Sequence, residues 1–283
     1  IELKPNFSDA YVFRGLAKKN LKEFSGAIDD YTKALEINPK DVSAFTNRGG
    51  LKSDLKDFSG AIDDYTKALE INPRSAITFE NLGLIKMKLG DNQEAISDYS
   101  KAVEIDPSNW NAYKSRGVAN YNLKDFDEAI SDYTKAIELN PSNADIYVYR
   151  GLIKKELKDL SGAISDYTKA IELDPNNADA FNNRGRVKSD LKDFSGAIND
   201  LSKAIKISPE NGIIYYNRGT VKSYLKEYTA AILDYNKAIK FSPNNYDIYL
   251  NRGYVKHELK DYQGAISDYT KAIELNPSNA ILY

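Results

Sequence analysis

Cysteine is absent from the 283 residues. That excludes disulfides, thiolate nucleophiles and cysteine-ligated metals. It suits a reducing compartment, and a cytoplasmic location is the expectation. There is one histidine, His257. No second ligand stands at metal spacing, and His257 reads as a groove or surface residue, not a catalytic base. No apolar run approaches the ~18 residues of a membrane span, and no signal peptide is visible. Charge nearly balances, at −2, so no basic field favours nucleic acid. The carboxylate pairs Asp29-Asp30 and Asp63-Asp64 are adjacent. Neighbouring helical positions point about 100° apart, which makes neither pair a catalytic dyad. The glycines sit inside helical patterns, not in a phosphate-binding loop. The chain therefore reads as non-catalytic, with no catalytic residue, no metal and no cofactor.

Proline is scarce and strictly placed. Nine occur, from Pro5, Pro39 and Pro73 to Pro243 and Pro277, each 34 residues after the last. Proline stops helices, because it lacks an N–H and clashes with the preceding turn. A stop at fixed interval means one structural unit copied along the chain. Rows of 34 expose invariant columns. Glycine fills one from Gly15 to Gly253, alanine two (from Ala27 and Ala34), and aspartate one from Asp30 to Asp268. The rows carry a small-aromatic pair, then Gly, Leu, Ala-Ile, Tyr (Leu201 in the sixth row), Ala and Pro.

This period and these columns resemble the tetratricopeptide repeat (TPR) family. The resemblance implies an all-α fold, a right-handed α-solenoid (superhelix) of eight 34-residue helix-turn-helix repeats. A single array is expected over residues 1–283, with repeats at 8–41, 42–75, 76–109, 110–143, 144–177, 178–211, 212–245 and 246–279. Residues 1–7 and 280–283 match fragments of further repeats, so the chain reads as an excerpt of a longer array.

One repeat supports the same reading without the family. In 144–177, Asn143 suits an N-cap. Ile146, Tyr147, Gly151, Ile153 and Leu157 share one helical face. Lys158-Asp159 forms the turn. The second helix is expected to bury Leu160, Ala163, Ile164, Tyr167, Ala170, Ile171 and Leu173, ending at Asp174-Pro175. Asp91 with Glu94, and Asp125 with Glu128, have capping-box spacing. Gly151 lies mid-helix, where glycine costs about 1 kcal/mol. Its recurrence predicts close approach of the second helix at its alanine. Arginine fills a column where the family usually has leucine: Arg14, Arg48, Arg116, Arg150, Arg184, Arg218 and Arg252, with Leu82 in the third row. The invariant aspartates are its expected partners, with a ligand-facing role as the alternative. Asp98 then lacks its usual partner unless Arg116 or Lys101 supplies one.

Stacked hairpins line a concave groove with their first helices. An asparagine column falls there: Asn47, Asn81, Asn183, Asn217 and Asn251. An amide both donates and accepts, so it matches a peptide backbone. The alternative is that these amides bond neighbouring helices. The column resembles the asparagine ladder in the TPR region of O-GlcNAc transferase. Tyr216, Tyr224 and Tyr254, with Arg186 and His257, complete the candidate peptide-binding set. The inner columns are mildly acidic. The lysine–asparagine pair of the chaperone-tail clamp is missing, since Lys114 is followed one turn on by Val118. The resemblance implies a protein-interaction scaffold that holds an extended peptide or partner helix. Two other readings stay open: a self-assembling array stacking end to end through Ile1, Leu3, Ile281, Leu282 and Tyr283, or the substrate-recruiting arm of an enzyme encoded outside this sequence.

Overall fold

The computed structural model describes residues 7–277. The terminal residues proposed for end-to-end stacking lie outside that range. Sixteen α-helices and no strand occur among the described residues. They fall into two compact units, one ending at Pro141 and the next beginning at Ser142. The first unit holds α1 (Ser8–Asn20), α2 (Phe24–Ile37), α3 (Val42–Asp54), α4 (Phe58–Ile71), α5 (Ala76–Leu89), α6 (Asn92–Ile105), α7 (Trp110–Asn122) and α8 (Phe126–Leu139). The second holds α9 (Ala144–Glu156), α10 (Leu160–Leu173), α11 (Ala178–Asp190), α12 (Phe194–Ile207), α13 (Gly212–Tyr224), α14 (Tyr228–Phe241), α15 (Tyr246–Glu258) and α16 (Tyr262–Leu275). In each unit, consecutive helices pair as hairpins, and each hairpin packs on the next.

The turns have a definite chemistry. First helices begin at Asp41, Asn109, Asn143, Asn177, Asn211 and Asn245, whose side chains accept the early N–H groups. Each first helix closes on a residue with positive φ, Gly90 in the third hairpin and lysine in the others, including Lys22 (φ 63°) and Lys158 (φ 65°). At the first of these turns, Lys22 and Glu23 donate back to the carbonyls of Lys19 and Lys18, a Schellman closure. Second helices differ from expectation. Asp57, Asp159, Asp193 and Asp261 cap them by accepting from Gly60, Gly162, Gly196 and Gly264. Asp91 and Asp125, with the capping-box spacing, make no such bond. A Cβ at the capped glycines meets the aspartate carboxylate itself. Glycine leaves that room, and Glu94 and Glu128 do not.

Along α9 and α10 the buried apolar side chains are Ile146, Tyr147, Val148, Ile153, Ala163, Tyr167 and Ala170. Leu160, Ile164, Ile171 and Leu173 are half-buried. Leu157 is exposed, because it caps the helix instead of continuing its face. Gly151 faces the tyrosine of the second helix, not its alanine: a Cβ there lies 2.8 Å from Tyr167 Cε1. The same ring contact recurs at Gly15, Gly83, Gly117, Gly219 and Gly253, while the alanine carbonyl joins in at Gly49, Gly185 and Gly219. The glycine column thus makes room for a flat ring.

The arginine column is structural. All seven arginines donate to the aspartate 16 residues on, as Arg48 does through Nε (2.9 Å) and Nη2 (2.7 Å) to Asp64. Each also lies over the aromatic ring three residues earlier. Several reach back to the preceding hairpin: Arg48 to Thr32, Arg116 to Ser100, Arg184 to Thr168 and Arg218 to Ser202. A second cation completes the site. Lys18, Lys52, Lys154, Lys188, Lys222 and Lys256 contact the same carboxylates at 2.7–2.9 Å. Where Leu82 replaces arginine, Lys86 alone holds Asp98 at 2.5 Å. Neither Arg116 nor Lys101 serves it; the lysine one turn after the arginine column does.

The fourth hairpin loses the lysine instead. Asn120 stands there and donates to Asp132 at 3.0 Å. Burial tends to raise every one of these carboxyls. At Asp30, Asp64, Asp200 and Asp268 the paired arginine and lysine outweigh it and hold the group below its ordinary value. At Asp132 burial prevails over Arg116 and Asn120, and the carboxyl lies above its ordinary value.

Two outcomes are expected. Gly151→Leu should lower stability by about 1–3 kcal/mol through overpacking against Tyr167, read as a fall in Tm and urea midpoint. Asn120→Lys should stabilise by about 1–2 kcal/mol at pH 7 by adding a charge-assisted bond. The sign follows from linkage. The raised Asp132 carboxyl favours the folded state most below its unfolded pKa, and that advantage is lost as pH rises through the folded value. Beside a lysine the carboxyl is depressed, so its stabilisation is present above the unfolded pKa and lost as pH falls. The variant's advantage should therefore shrink when denaturation is repeated at acid pH; an advantage that grows there would contradict this account.

Candidate functional site

Each unit carries a cleft on its first-helix face. In the first, a cleft of about 270 Å³ lies among α1, α3 and α5. Asn47, Asn81, Gly50, Asp54, Leu84 and Lys88 line it, with Tyr65 beneath. Its rim holds an ion pair between Lys19 and Asp54 at 3.2 Å. Tyr65 is buried. Burial, aided by the Asp54 and Asp64 carboxylates, pushes its phenol up to about 12, so it is a neutral hydrogen-bonding group at the floor. Gly50 follows the invariant Gly49 and stands where other rows have Leu84, Leu152, Arg186 or Tyr254. Its missing side chain opens this cleft. The signal was legible as a departure from a column of larger residues.

In the second unit, a cleft of about 200 Å³ lies between α11 and α13, over Leu201 of α12. It gathers Arg186, Tyr216, Asn217 and Tyr224, with Ser189, Asp190 and Thr220. Tyr224 is exposed, its ring centre 6.0 Å from that of Phe194. The remaining candidates stand outside both clefts. Tyr254 is exposed. His257 is exposed, edge-on to Tyr262 at 5.4 Å, with Nδ1 3.8 Å from a Glu258 oxygen. Asn183 is half-buried on α11. Trp110 begins α7 with Lys114 Nζ 5.3 Å from its ring centre.

The five asparagines are not equivalent. Asn217 donates to Asn182 Oδ1 of the preceding hairpin at 2.8 Å. Asn251 donates to Tyr216 Oη (3.0 Å) and to the Asp247 carbonyl (2.9 Å). Asn47 turns onto its own helix, at the Ser43 carbonyl. Asn81 and Asn183 have no side-chain hydrogen bond among the described residues. The position 35 residues earlier offers an acceptor to Asn217 and Asn251, at Asn182 and Tyr216, but is Val12 and Val148 before Asn47 and Asn183. Before Asn81 it is Thr46, whose hydroxyl is turned onto the Val42 and Ser43 carbonyls of its own helix. The Tyr216 phenol is pushed up by burial and by the nearby Asp247 carboxylate. Its oxygen accepts from Asn251.

The helix pairing, the glycine–tyrosine contact and the register match a known repeat. Profiles described as tetratricopeptide repeat match residues 8–41, 42–75, 110–143, 178–211 and 246–279, and one described as TPR repeat matches 83–124, 151–191 and 224–260. The chain belongs to the tetratricopeptide repeat family. This fold generally serves as a protein-interaction scaffold, is typically non-enzymatic, and binds protein partners. Among solved structures, the APC/C hetero-tetramer Cut9–Hcn1 is similar at TM-score 0.67 and 21% identity, over 92% of this chain and 51% of the other. The chain thus spans about half the length of that one. MamA is similar at TM-score 0.56 and 28% identity, over 60% of this chain and 92% of that one. YrrB follows at TM-score 0.54 and 24% identity, over 63% and 92%. No curated protein matches the sequence. No helix among the described residues is long and apolar enough to cross a membrane.

Tyr216→Phe should cost about 1 kcal/mol by leaving the Asn251 amide short of one acceptor. A double-mutant cycle with Asn251→Ala, read by urea denaturation, should give a coupling of similar size. Strict additivity would mean that the bond contributes nothing.

Proposed function

We propose that this chain is a non-catalytic scaffold that holds an extended segment of a partner protein along its first-helix face. The observation that carries the reading is the pair of clefts. Both lie on first helices and both are lined by residues that vary between repeats. The framework residues, in contrast, are occupied with one another. Every column arginine is bound to a carboxylate, and the buried tyrosines pack under glycine. Only the inner columns are free to differ, which is what recognition of a particular segment requires.

Within this reading, Asn81 and Asn183 present amides to the ligand backbone, while Asn217 and Asn251 hold neighbouring hairpins in register. Asn47 keeps its amide oxygen for an incoming N–H. Tyr216, Tyr224 and Tyr254, with Arg186 and His257, contribute side-chain contacts. The solved structure of YrrB is described as that of a TPR protein with an unusual peptide-binding site. The likeness itself carries the fold, and peptide binding by the present chain is our proposal. The mildly acidic inner columns favour neutral or basic segments over nucleic acid.

Peptide-library selection tests this. The parent should enrich a set of peptides, and Asn81→Ala with Asn183→Ala should lose most of them with Tm little changed. Asn217→Ala should lower Tm more than it lowers binding. A parent that enriches nothing would overturn the peptide reading. Enrichment untouched by the first pair of substitutions would remove the amides from it.

A further inference from the structure

The core-tyrosine column runs through Tyr31, Tyr65, Tyr99, Tyr133, Tyr167, Tyr235 and Tyr269, and lapses only at Leu201. In the other repeats the ring passes beneath the column glycine, and at Tyr65 and Tyr235 the hydroxyl end reaches the first helix. Tyr65 Oη lies 3.4 Å from the Cβ position of Gly50. Tyr235 Oη lies 3.4 Å from Thr220 Oγ1. At Leu201 the branch point takes the ring's place under Gly185, with Cγ 2.9 Å from that Cβ position. Leucine ends short of where a phenol would reach. The place beyond it is the second unit's cleft, bounded by Arg186, Asp190, Tyr216, Thr220 and Tyr224.

Arg186 is also out of pattern. The seven column arginines each hold a carboxylate and lie 5.3–5.9 Å from the centre of an aromatic ring. Arg186 is exposed at the mouth of the cleft and has neither kind of partner among the described residues.

We propose that this cleft is a socket for one aromatic side chain, tyrosine or phenylalanine, of a bound extended segment. The inference rests on the groove reading above and names the residue it selects. The chain itself places a phenol at the corresponding point of its other repeats, so the framework around the cleft is shaped for one. The negative face of an aromatic ring answers the unpaired Arg186 guanidinium. Tyr216 and Tyr224 offer ring edges and faces. Asp190 and Thr220 can accept from a phenolic hydroxyl. An aliphatic anchor would fill the space but leave the guanidinium without a π partner.

The test uses the full chain, with p-cresol and the peptide acetyl-Gly-Tyr-Gly-amide as probes and acetyl-Gly-Ala-Gly-amide as control. Amide NMR shifts at Leu201, Thr220 and Val221 should saturate with the first two and not with the control. Leu201→Tyr restores the column residue, so it should fold with parental Tm. It should weaken both probes about tenfold or more by filling the socket. Arg186→Leu, the residue type of Leu84 and Leu152 at that column, should weaken them too while leaving the socket open. Equal shifts in parent and Leu201→Tyr, or no saturable response in the parent, would overturn the proposal. Saturable p-cresol binding with no library peptide enriched would leave the socket standing and sink the groove reading. Library peptides bound equally by parent and Leu201→Tyr, with no aromatic position selected, would sink the socket alone.

Discussion

Each hairpin is organised around one buried carboxylate. In six of the eight hairpins an aspartate at a few per cent exposure faces an arginine and a lysine from the preceding helix. Asp98 has the lysine alone, and Asp132 an arginine and an asparagine. An unpaired charge at such a site would be strongly destabilising, so the residues around it are constrained together. The arginine must lie flat to donate twice, and the ring three residues earlier supports that plane. Its remaining nitrogen reaches the hydroxyl of the previous hairpin, which joins the internal geometry of one repeat to its contact with the next. Such a network orients the helices more than it adds to stability. In the third hairpin Leu82 packs into the core where the arginine would stand, and Lys86 alone meets the carboxylate.

The recognition surface we propose follows from what this framework leaves unused. Core columns carry the tyrosine under glycine, the alanines and the ion cluster. The turns are fixed by caps and positive-φ closures. What remains on the first helices is a small set of inner positions outside these columns. The clefts come from one departure there and one in the core: glycine at 50 opens one, and leucine at 201, in the tyrosine column of α12, shortens the floor of the other. A repeat fold thereby separates the residues that hold its shape from those that choose a partner.

Much of this was legible in the linear sequence. The 34-residue proline spacing marked the hairpins, and Asn143 and Asp174 marked helix ends that the structure retains. The arginine and aspartate columns declared their pairing through recurrence of opposite charge at a fixed interval. The lysine column was harder to separate, because lysine is abundant and the row that lacks it, at Asn120, breaks the pattern. The capping at Asp57 and Asp159 was hidden by a rule that favours glutamate three residues on. Here a glycine admits the carboxylate and a glutamate does not.

Sequence alone determined the period, the helix-turn-helix unit, the family and the expected pairing of the aspartate column with arginine. These depend on short-range spacing and on charges that cannot be buried unpaired, and both repeat visibly. Tertiary structure decided which amides are free. Asn183 and Asn217 look identical in their rows, yet one follows Val148 and the other Asn182 in the neighbouring hairpin. It also decided that the glycine column answers chiefly a tyrosine ring, with the alanine carbonyl joining in at three positions. Both outcomes turn on side chains brought together from separate helices. Distances of a few ångströms set them, and no column of letters records those.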